Sequence, residues 1–101
     1  MIDIEYIYRQ MAFSQKTFGP GTRTKGIIAH IRKELDELEE NPTDVYEWAD
    51  VIILALDGAW RTGHRPNAIL NALIHKQEIN ETRTWPDWKT VGEDEAIEHV
   101  R

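Results

Sequence analysis

The sequence predicts an all-α domain, a bundle of four to five helices joined by short loops. Along most of the chain, apolar residues recur at spacings of three and four, the period of an amphipathic helix. Glycine and proline clusters interrupt this pattern and indicate where the helices end. Because the chain has 101 residues, we expect one domain over residues 1–101, with a small core helped by oligomerisation.

The first two helices are separated by the turn-forming segment 18–21, which holds Gly19, Pro20 and Gly21. The first helix is predicted from Asp3 to about Lys16. Its apolar face consists of Ile4, Ile7, Tyr8 and Met11. Thr22 or Thr24 can cap the second helix. The apolar seam of that helix, suited to packing on another helix, consists of Ile28, Ile31, Leu35 and Leu38.

The third helix is predicted to be the central and most buried one. Asn41 followed by Pro42 is a favoured start, so we expect this helix from Pro42 to Arg61. It is apolar around much of its circumference, and Trp48 and Trp60 are expected in the core. The β-branched run 51–53 could form a strand, but the length of the segment and its lack of turn signals favour a helix.

The rest of the chain is predicted to hold one long helix and one short helix. Pro66 begins a fourth helix that extends to about Glu81. An irregular segment with two tryptophans follows, and residues 94–100 are expected to form a short last helix.

The net charge of −6 comes from one segment of the chain. Residues 34–50 hold eight carboxylates and no lysine or arginine, whereas the remainder carries 12 basic and 10 acidic side chains. This acidity disfavours nucleic-acid binding. No apolar run is long enough to span a membrane, and the start does not resemble a signal peptide. Without cysteine there is no disulfide or zinc–thiolate site. We expect a cytoplasmic protein.

Four carboxylates within that segment form a pattern of two pairs. Glu34 and Glu37 are three residues apart on the second helix, and Glu47 and Asp50 are three apart on the third. A short turn makes the two helices antiparallel, so the pairs can face each other. Four carboxylates held together repel and need a strong cation. Mg²⁺ and Mn²⁺ prefer such oxygen ligands.

Three other interpretations of the acidic residues compete with a metal site. A solvated helix surface fits Asp36, Glu39 and Glu40, but fits Glu47 and Asp50 poorly because they lie on the most apolar helix. A di-iron bundle requires Glu-x-x-His on two helices, and the sequence contains none. A non-catalytic helical module with an acidic docking patch is the alternative from another functional class.

Basic and polar residues on the fourth helix favour an enzyme over a docking module. Lys76, Asn80 and Arg83 follow one another at i, i+4 and i+7, with Lys76 and Asn80 on the apolar stripe. Beside a metal site, such residues suit the binding of a polyphosphate. A lysine extended along apolar surface and a capping asparagine are the plainer alternative. His30, four residues before Glu34, can contact substrate or serve only structure.

The same motifs resemble those of the MazG-like all-α nucleoside triphosphate pyrophosphohydrolases. These motifs are Glu34-x-x-Glu37, Glu47-x-x-Asp50 and Lys76-x-x-x-Asn80-x-x-Arg83-x-Trp85. Residues 18–23, 30–35, 47–61 and 85–88 are similar to a short branch from phages and prophages, the dATP/dGTP diphosphohydrolases. The resemblance covers roughly residues 13–101.

The resemblance implies a function for each motif. The Mg²⁺ ligands would be Glu34, Glu37, Glu47 and Asp50, and Mn²⁺ could substitute. The substrate contacts would be Lys76, Asn80 and Arg83, with His30 added as a candidate. Glu37 and Glu47 are the candidate catalytic carboxylates. The reaction would be hydrolysis of a deoxynucleoside triphosphate, dATP or dGTP, between the α and β phosphates. A homodimer or homotetramer in the host cytoplasm is the expected setting.

Overall fold

The computed structural model describes residues 2–101 and is all-helical over that range. The all-α prediction is therefore confirmed. The four α-helices are α1 (Ile4–Phe18), α2 (Thr24–Glu40), α3 (Val45–Arg61) and α4 (Pro66–Thr82), followed by a 3₁₀ turn at Trp88–Thr90.

The first two helix starts are capped differently. Asp3 caps α1, where its Oδ1 accepts a hydrogen bond from the Tyr6 N–H at 2.9 Å. The predicted caps of α2 are wrong: its N-cap is Arg23, which has left-handed backbone at φ +46° and makes no side-chain cap hydrogen bond. Gly19, at φ +85°, ends α1, and this conformation favours glycine.

The start of α3 lies three residues later than predicted. Asn41 ends α2, and Asp44 is the N-cap of α3, accepting the Tyr46 N–H at 2.9 Å. Asp44 has the extended backbone that an N-cap requires. Asp44 therefore begins α3 in place of Asn41–Pro42, the start that the sequence predicted. The Pro42 carbonyl accepts a hydrogen bond from Trp48 Nε1 at 2.9 Å.

The chain divides into two compact units, one reaching to Leu70 and the other comprising Asn71–Arg101. In the first unit α3 packs against both α1 and α2, as expected for a central helix. Its core centres on buried Ile7, Leu56 and Ile69, with Trp60 packed against them.

One prediction about burial in α3 is confirmed and one is wrong. Only Leu56, Asp57 and Arg61 in its last turns are buried, but α3 has the smallest share of exposed residues of the four helices, as expected for the most buried one. Trp48, predicted in the core, is 51% exposed, and Ile52 is 50% exposed. The apolar circumference of α3 is wider than the surface that α1 and α2 cover.

The predicted faces of α1 and α2 are also displaced. The buried positions of α1 are Ile7, Gln10 and Ser14, so only Ile7 of the predicted stripe is buried. In α2, Ile27 and Leu38 are buried, whereas Ile28 and Leu35 of the predicted seam are about two-fifths exposed. The buried residues of α2 lie partly beside its most apolar stripe, because carboxylates occupy part of the α2–α3 interface.

Arg61 connects the end of α3 to α1 and to the loop that follows α1. Its side chain is fully buried, and its Nε donates to Asp57 Oδ2 at 3.1 Å. Nη1 donates to the carbonyls of Gly19 and Gly21, both at 2.9 Å, and Nη2 donates to the Ser14 carbonyl and hydroxyl. Five bonds match the five N–H donors of a guanidinium group. The spacing of four residues places Asp57 and Arg61 on one face of α3, but the sequence does not show that the pair is buried.

The second unit does not contain the predicted helix at residues 94–100. Instead, the Val100 N–H donates to the Thr84 carbonyl at 2.7 Å, and the Trp85 ring packs edge-on against His99 with centroids 5.9 Å apart. These contacts hold the segment in an irregular conformation. Among the residues that the structure describes, no helix is long and apolar enough to cross a membrane.

Arg61→Lys is expected to destabilise the fold by about 2–4 kcal/mol, because one ammonium group cannot replace five directed donors and leaves buried carbonyls unpaired. Urea denaturation of the variant against Arg32→Lys, the same change at an exposed position, measures the effect. Equal stability of the two variants would contradict the anchoring role of Arg61.

Candidate metal centre

Three glutamate side chains meet where α2 and α3 pack together. Glu34 and Glu37 lie one turn apart on α2, and Glu47 lies in the first turn of α3. One carboxylate oxygen from each of the three comes within 4.8 Å of the others. The turn at residues 41–44 brings the start of α3 back beside the end of α2, so the predicted meeting of the two acidic motifs occurs.

Two oxygens of this cluster are buried and unpaired. Glu34 is only 9% exposed. Its Oε2 and the Oε2 of Glu47 are buried without a hydrogen-bond partner in the part of the chain that the structure describes. A buried carboxylate oxygen without a donor is costly. The residues therefore fit a bound divalent cation, which would give both oxygens a partner and would favour their charged form.

His30 is the basic side chain that contacts the cluster. It lies one turn before Glu34, and its Nε2 is 3.2 Å from Glu34 Oε1. This contact leaves Glu34 Oε2 as the unpaired oxygen. The predicted place of His30 on the carboxylate face is thus correct, and its contact is with a carboxylate.

The neighbouring groups and burial raise the pKa of Glu34. A side-chain hydrogen bond with Glu37, which forms only when one of the two carboxyl groups is protonated, contributes most, followed by burial and the charges of Glu37 and Asp50, while the charge of His30 acts in the opposite direction. Each contribution that raises the pKa disfavours the ionised carboxylate in the empty cluster.

Glu47 has a raised pKa for a related reason. Burial contributes most, and the negative charges of Glu37, Asp44 and Asp50 add to it. Asp50 is itself exposed and lies outside the group of three oxygens. Its charge nevertheless raises the pKa of both Glu34 and Glu47. The structure therefore brings three of the four predicted ligands together and leaves Asp50 at the edge of the cluster.

A pocket of about 70 Å³ adjoins the cluster at His30. Its lining also includes the end of α1, the start of α2 and the middle of α3. The lining residues are Phe18, Arg23, Gly26, Ile27, His30, Leu54, Asp57 and Arg61. The sequence indicated His30 as a possible contact but gave no sign that Phe18 and Leu54 line the same pocket.

These motifs match a known family. Residues 6–101 fit the model of the dATP/dGTP pyrophosphohydrolases. The chain belongs to the dATP/dGTP pyrophosphohydrolase family. This match confirms the resemblance seen in the motifs, and it extends over both units. The three clustered glutamates therefore occur in a member of a nucleotide-hydrolase family.

A phage relative is consistent with this membership. The chain is 45% identical over 49 residues to the Eaa protein of Salmonella phage P22. The matched segment covers 48% of the chain but only 16% of the Eaa protein, so it spans about a sixth of the length of that relative. No solved structure is significantly similar to the chain.

Three of the four predicted substrate contacts of this pyrophosphohydrolase-family chain lie in the second unit, and His30 lies in the first. Asn80 is half-buried, and its Oδ1 accepts a hydrogen bond from Arg83 Nη1 at 3.4 Å. Trp85 Nε1 donates to the Asn80 carbonyl at 2.7 Å, whereas Lys76 is exposed. The structure thus brings Asn80 and Arg83 together at the end of α4.

In the metal-free protein, Glu47→Gln is expected to raise the melting temperature near neutral pH. A carboxyl group whose pKa is raised in the folded protein stabilises the fold at pH values below its ordinary pKa of 4.5. This stabilisation is lost as the pH rises through the raised pKa. The increase in melting temperature caused by Glu47→Gln should therefore shrink as the pH falls toward 4.5. Thermal melts in chelator across this range measure it.

The matched control is Glu78→Gln, the same change at an exposed position in the middle of α4. Its stability difference from the parent should not follow this pH dependence. A Glu47→Gln variant that is no more stable than the parent at neutral pH would contradict the repulsion within the cluster.

Proposed function

We propose that this protein is a Mg²⁺-dependent deoxynucleoside triphosphate pyrophosphohydrolase. It cleaves dATP and dGTP between the α and β phosphates and releases a monophosphate and pyrophosphate. One observation carries the proposal: three glutamates converge within 4.8 Å, and two of their buried oxygens lack a partner. Membership of the dATP/dGTP pyrophosphohydrolase family supports the choice of substrate.

Four carboxylates would hold the metal. Glu34, Glu37 and Glu47 form the centre, and Asp50 at its edge completes the predicted set. Oxygen ligands of this kind suit Mg²⁺, and Mn²⁺ can substitute. When bound, the metal would lower the pKa of a water molecule and neutralise charge on the phosphate oxygens.

The side chains of the cluster would then direct the attack of water on the α phosphorus. Glu37 and Glu47 are the candidate general bases, and either would take the proton of the attacking water. The contact of His30 with Glu34 fixes the orientation of that carboxylate. A bond forms between water oxygen and the α phosphorus, and the bond to the bridging oxygen breaks in line with it.

Positive side chains would hold the phosphates during this step. We propose that Lys76, Asn80 and Arg83 contact the substrate. The Asn80–Arg83 hydrogen bond orients the guanidinium group at the end of α4, and a guanidinium group can bind two phosphate oxygens at once.

The exposed apolar side chains of α2 and α3 support a homodimer or homotetramer. Ile28, Leu35 and Ile52 are each exposed by two-fifths or more. A small unit with an open apolar surface of this kind is stabilised when a second copy covers it. The relative from a Salmonella phage supports a place in the host cytoplasm, where the nucleotide pool is available.

The direct test is a panel of all ribo- and deoxynucleoside triphosphates with Mg²⁺. Pyrophosphate and monophosphate are scored separately from phosphate and diphosphate. The proposal requires that dATP and dGTP each yield pyrophosphate. When the reaction runs in water labelled with heavy oxygen, the label should appear in the monophosphate. Release of phosphate and diphosphate would overturn the reaction type, and no turnover of any nucleotide would favour a docking module.

Glu47→Gln and Asp50→Asn are each expected to lower kcat/KM for dATP by at least about a hundredfold. Loss of a residue that merely supports a ligand already costs about 10- to 100-fold, so loss of the ligand should cost more. Pyrophosphate release measures the effect, and circular dichroism verifies the fold. Asp36→Asn, on the exposed side of α2, should keep parental activity. Parental turnover in both ligand variants would refute the assignment of the site.

A further inference from the structure

Gln10 presents a buried hydrogen-bond acceptor that no group in the described residues satisfies. It lies on the inner face of α1 and is only 9% exposed. Its Nε2 donates to the Ile53 carbonyl at 2.8 Å. Since only the amide nitrogen can donate to a carbonyl, this bond fixes the orientation of the side chain. Its Oε1 is therefore the buried atom left without a partner.

The side chain of Gln10 lines a second pocket, of about 40 Å³. The rest of the lining is mostly apolar and comes from α1 and α3. The lining residues besides Gln10 are Phe13, Ser14, Phe18, Ile53, Leu54 and Asp57. Phe13 and Phe18 meet edge to face with centroids 6.1 Å apart. A volume of this size holds only a few water molecules, so a larger ligand enters only when the exposed rings of Phe13 and Phe18 move apart.

The other polar atoms around this pocket already have partners. Asp57 accepts one hydrogen bond from Trp60 and another from Arg61. Ser14 Oγ accepts a hydrogen bond from Arg61. Gln10 Oε1 is thus the unpartnered acceptor beside this pocket, and because the atom is itself buried, neighbouring side chains must move for a ligand to reach it.

The pocket at Gln10 and the pocket at His30 have lining residues in common. These are Phe18, Leu54 and Asp57, and His30 contacts the ligand candidate Glu34. Gln10 and the carboxylates therefore lie near the same stretch of α3. At 1.5 Å per residue, Leu54 lies about 6 Å beyond Asp50 on that helix.

We propose that Gln10 recognises the purine base of the substrate, an inference that rests on the function proposed above. With its phosphates at the carboxylates, a nucleotide extends its base along α3 between Phe18 and Leu54. Gln10 Oε1 accepts a hydrogen bond from the 6-amino group of adenine, or from the ring N1–H and 2-amino group of guanine. Because these donors lie at neighbouring ring positions, the two bases take slightly different positions when the same acceptor serves both.

The test measures binding of two non-hydrolysable nucleotides in the presence of Mg²⁺. One is the α,β-methylene analogue of dATP. The other is the same analogue of purine deoxyriboside triphosphate, which lacks the amino group. In the parent protein, the analogue without the amino group should bind about tenfold more weakly, because it leaves the buried acceptor unpaired.

Substitutions at Gln10 should remove this preference. Gln10→Met keeps the length of the side chain but not the acceptor, and the two analogues should then bind within about twofold of each other. Gln10→Asn, which withdraws the acceptor from the pocket, gives the same expectation if the methionine variant does not fold. Gln15→Met is the matched control, because Gln15 lies on α1 but is exposed, and it should keep the parental ratio.

The outcomes separate this inference from the proposed function. Equal binding of the two analogues by the parent protein, as expected if only a water molecule occupies the pocket, would overturn the role of Gln10. If dATP is nevertheless cleaved, the proposed function stands. Retention of the preference in both Gln10 variants would also overturn the inference. If no nucleotide is bound or cleaved, both proposals fail.

Discussion

Carboxylates of like charge are held together at the packing surface of α2 and α3, and this constraint shapes the rest of the first unit. Glu34, Glu37 and Glu47 approach within 4.8 Å of one another, and two of their oxygens are buried without partners. A side-chain hydrogen bond with Glu37 and burial raise the pKa of Glu34, burial raises that of Glu47, and the neighbouring negative charges add to both. In the empty protein, packing of apolar residues and the short turn between the helices must offset the repulsion between the carboxylates, and a divalent cation would convert this repulsion into attraction.

The helix α3 performs three tasks along its length, which explains why the other elements pack on it. Its first turn supplies Glu47, its middle supplies Leu54 between the two pockets, and its last turn supplies Arg61. The five hydrogen bonds of Arg61 fix α1 and the loop at Gly19 in relation to α3. Because α1 carries Gln10, the same hydrogen bonds set the distance between the pocket at Gln10 and the carboxylates. The site is thus built from rigid helices and one anchored loop.

The sequence was sufficient for the four α-helices and for three of the four predicted carboxylate ligands, but not for the irregular end of the chain or the burial pattern. Glu34 and Glu47 could be placed together because a spacing of three and a short turn leave few alternatives. The start of α3 was missed because two capping signals compete within residues 41–44 and only the structure shows that Asp44 caps. The exposure of Trp48 could not be foreseen, since an apolar face does not reveal what covers it. Similarly, the unpaired oxygen of Gln10 depends on the Ile53 carbonyl, 43 residues away.

Binding of Mn²⁺ without nucleotide tests most directly whether the carboxylates form a metal centre. Electron paramagnetic resonance of free Mn²⁺ gives the affinity and number of sites in the parent protein, with Glu47→Gln and Glu78→Gln measured beside it. The account predicts saturable binding that Mg²⁺ displaces, that weakens strongly in Glu47→Gln and that is unchanged in Glu78→Gln. Absence of saturable binding, or equal binding by all three proteins, would contradict it.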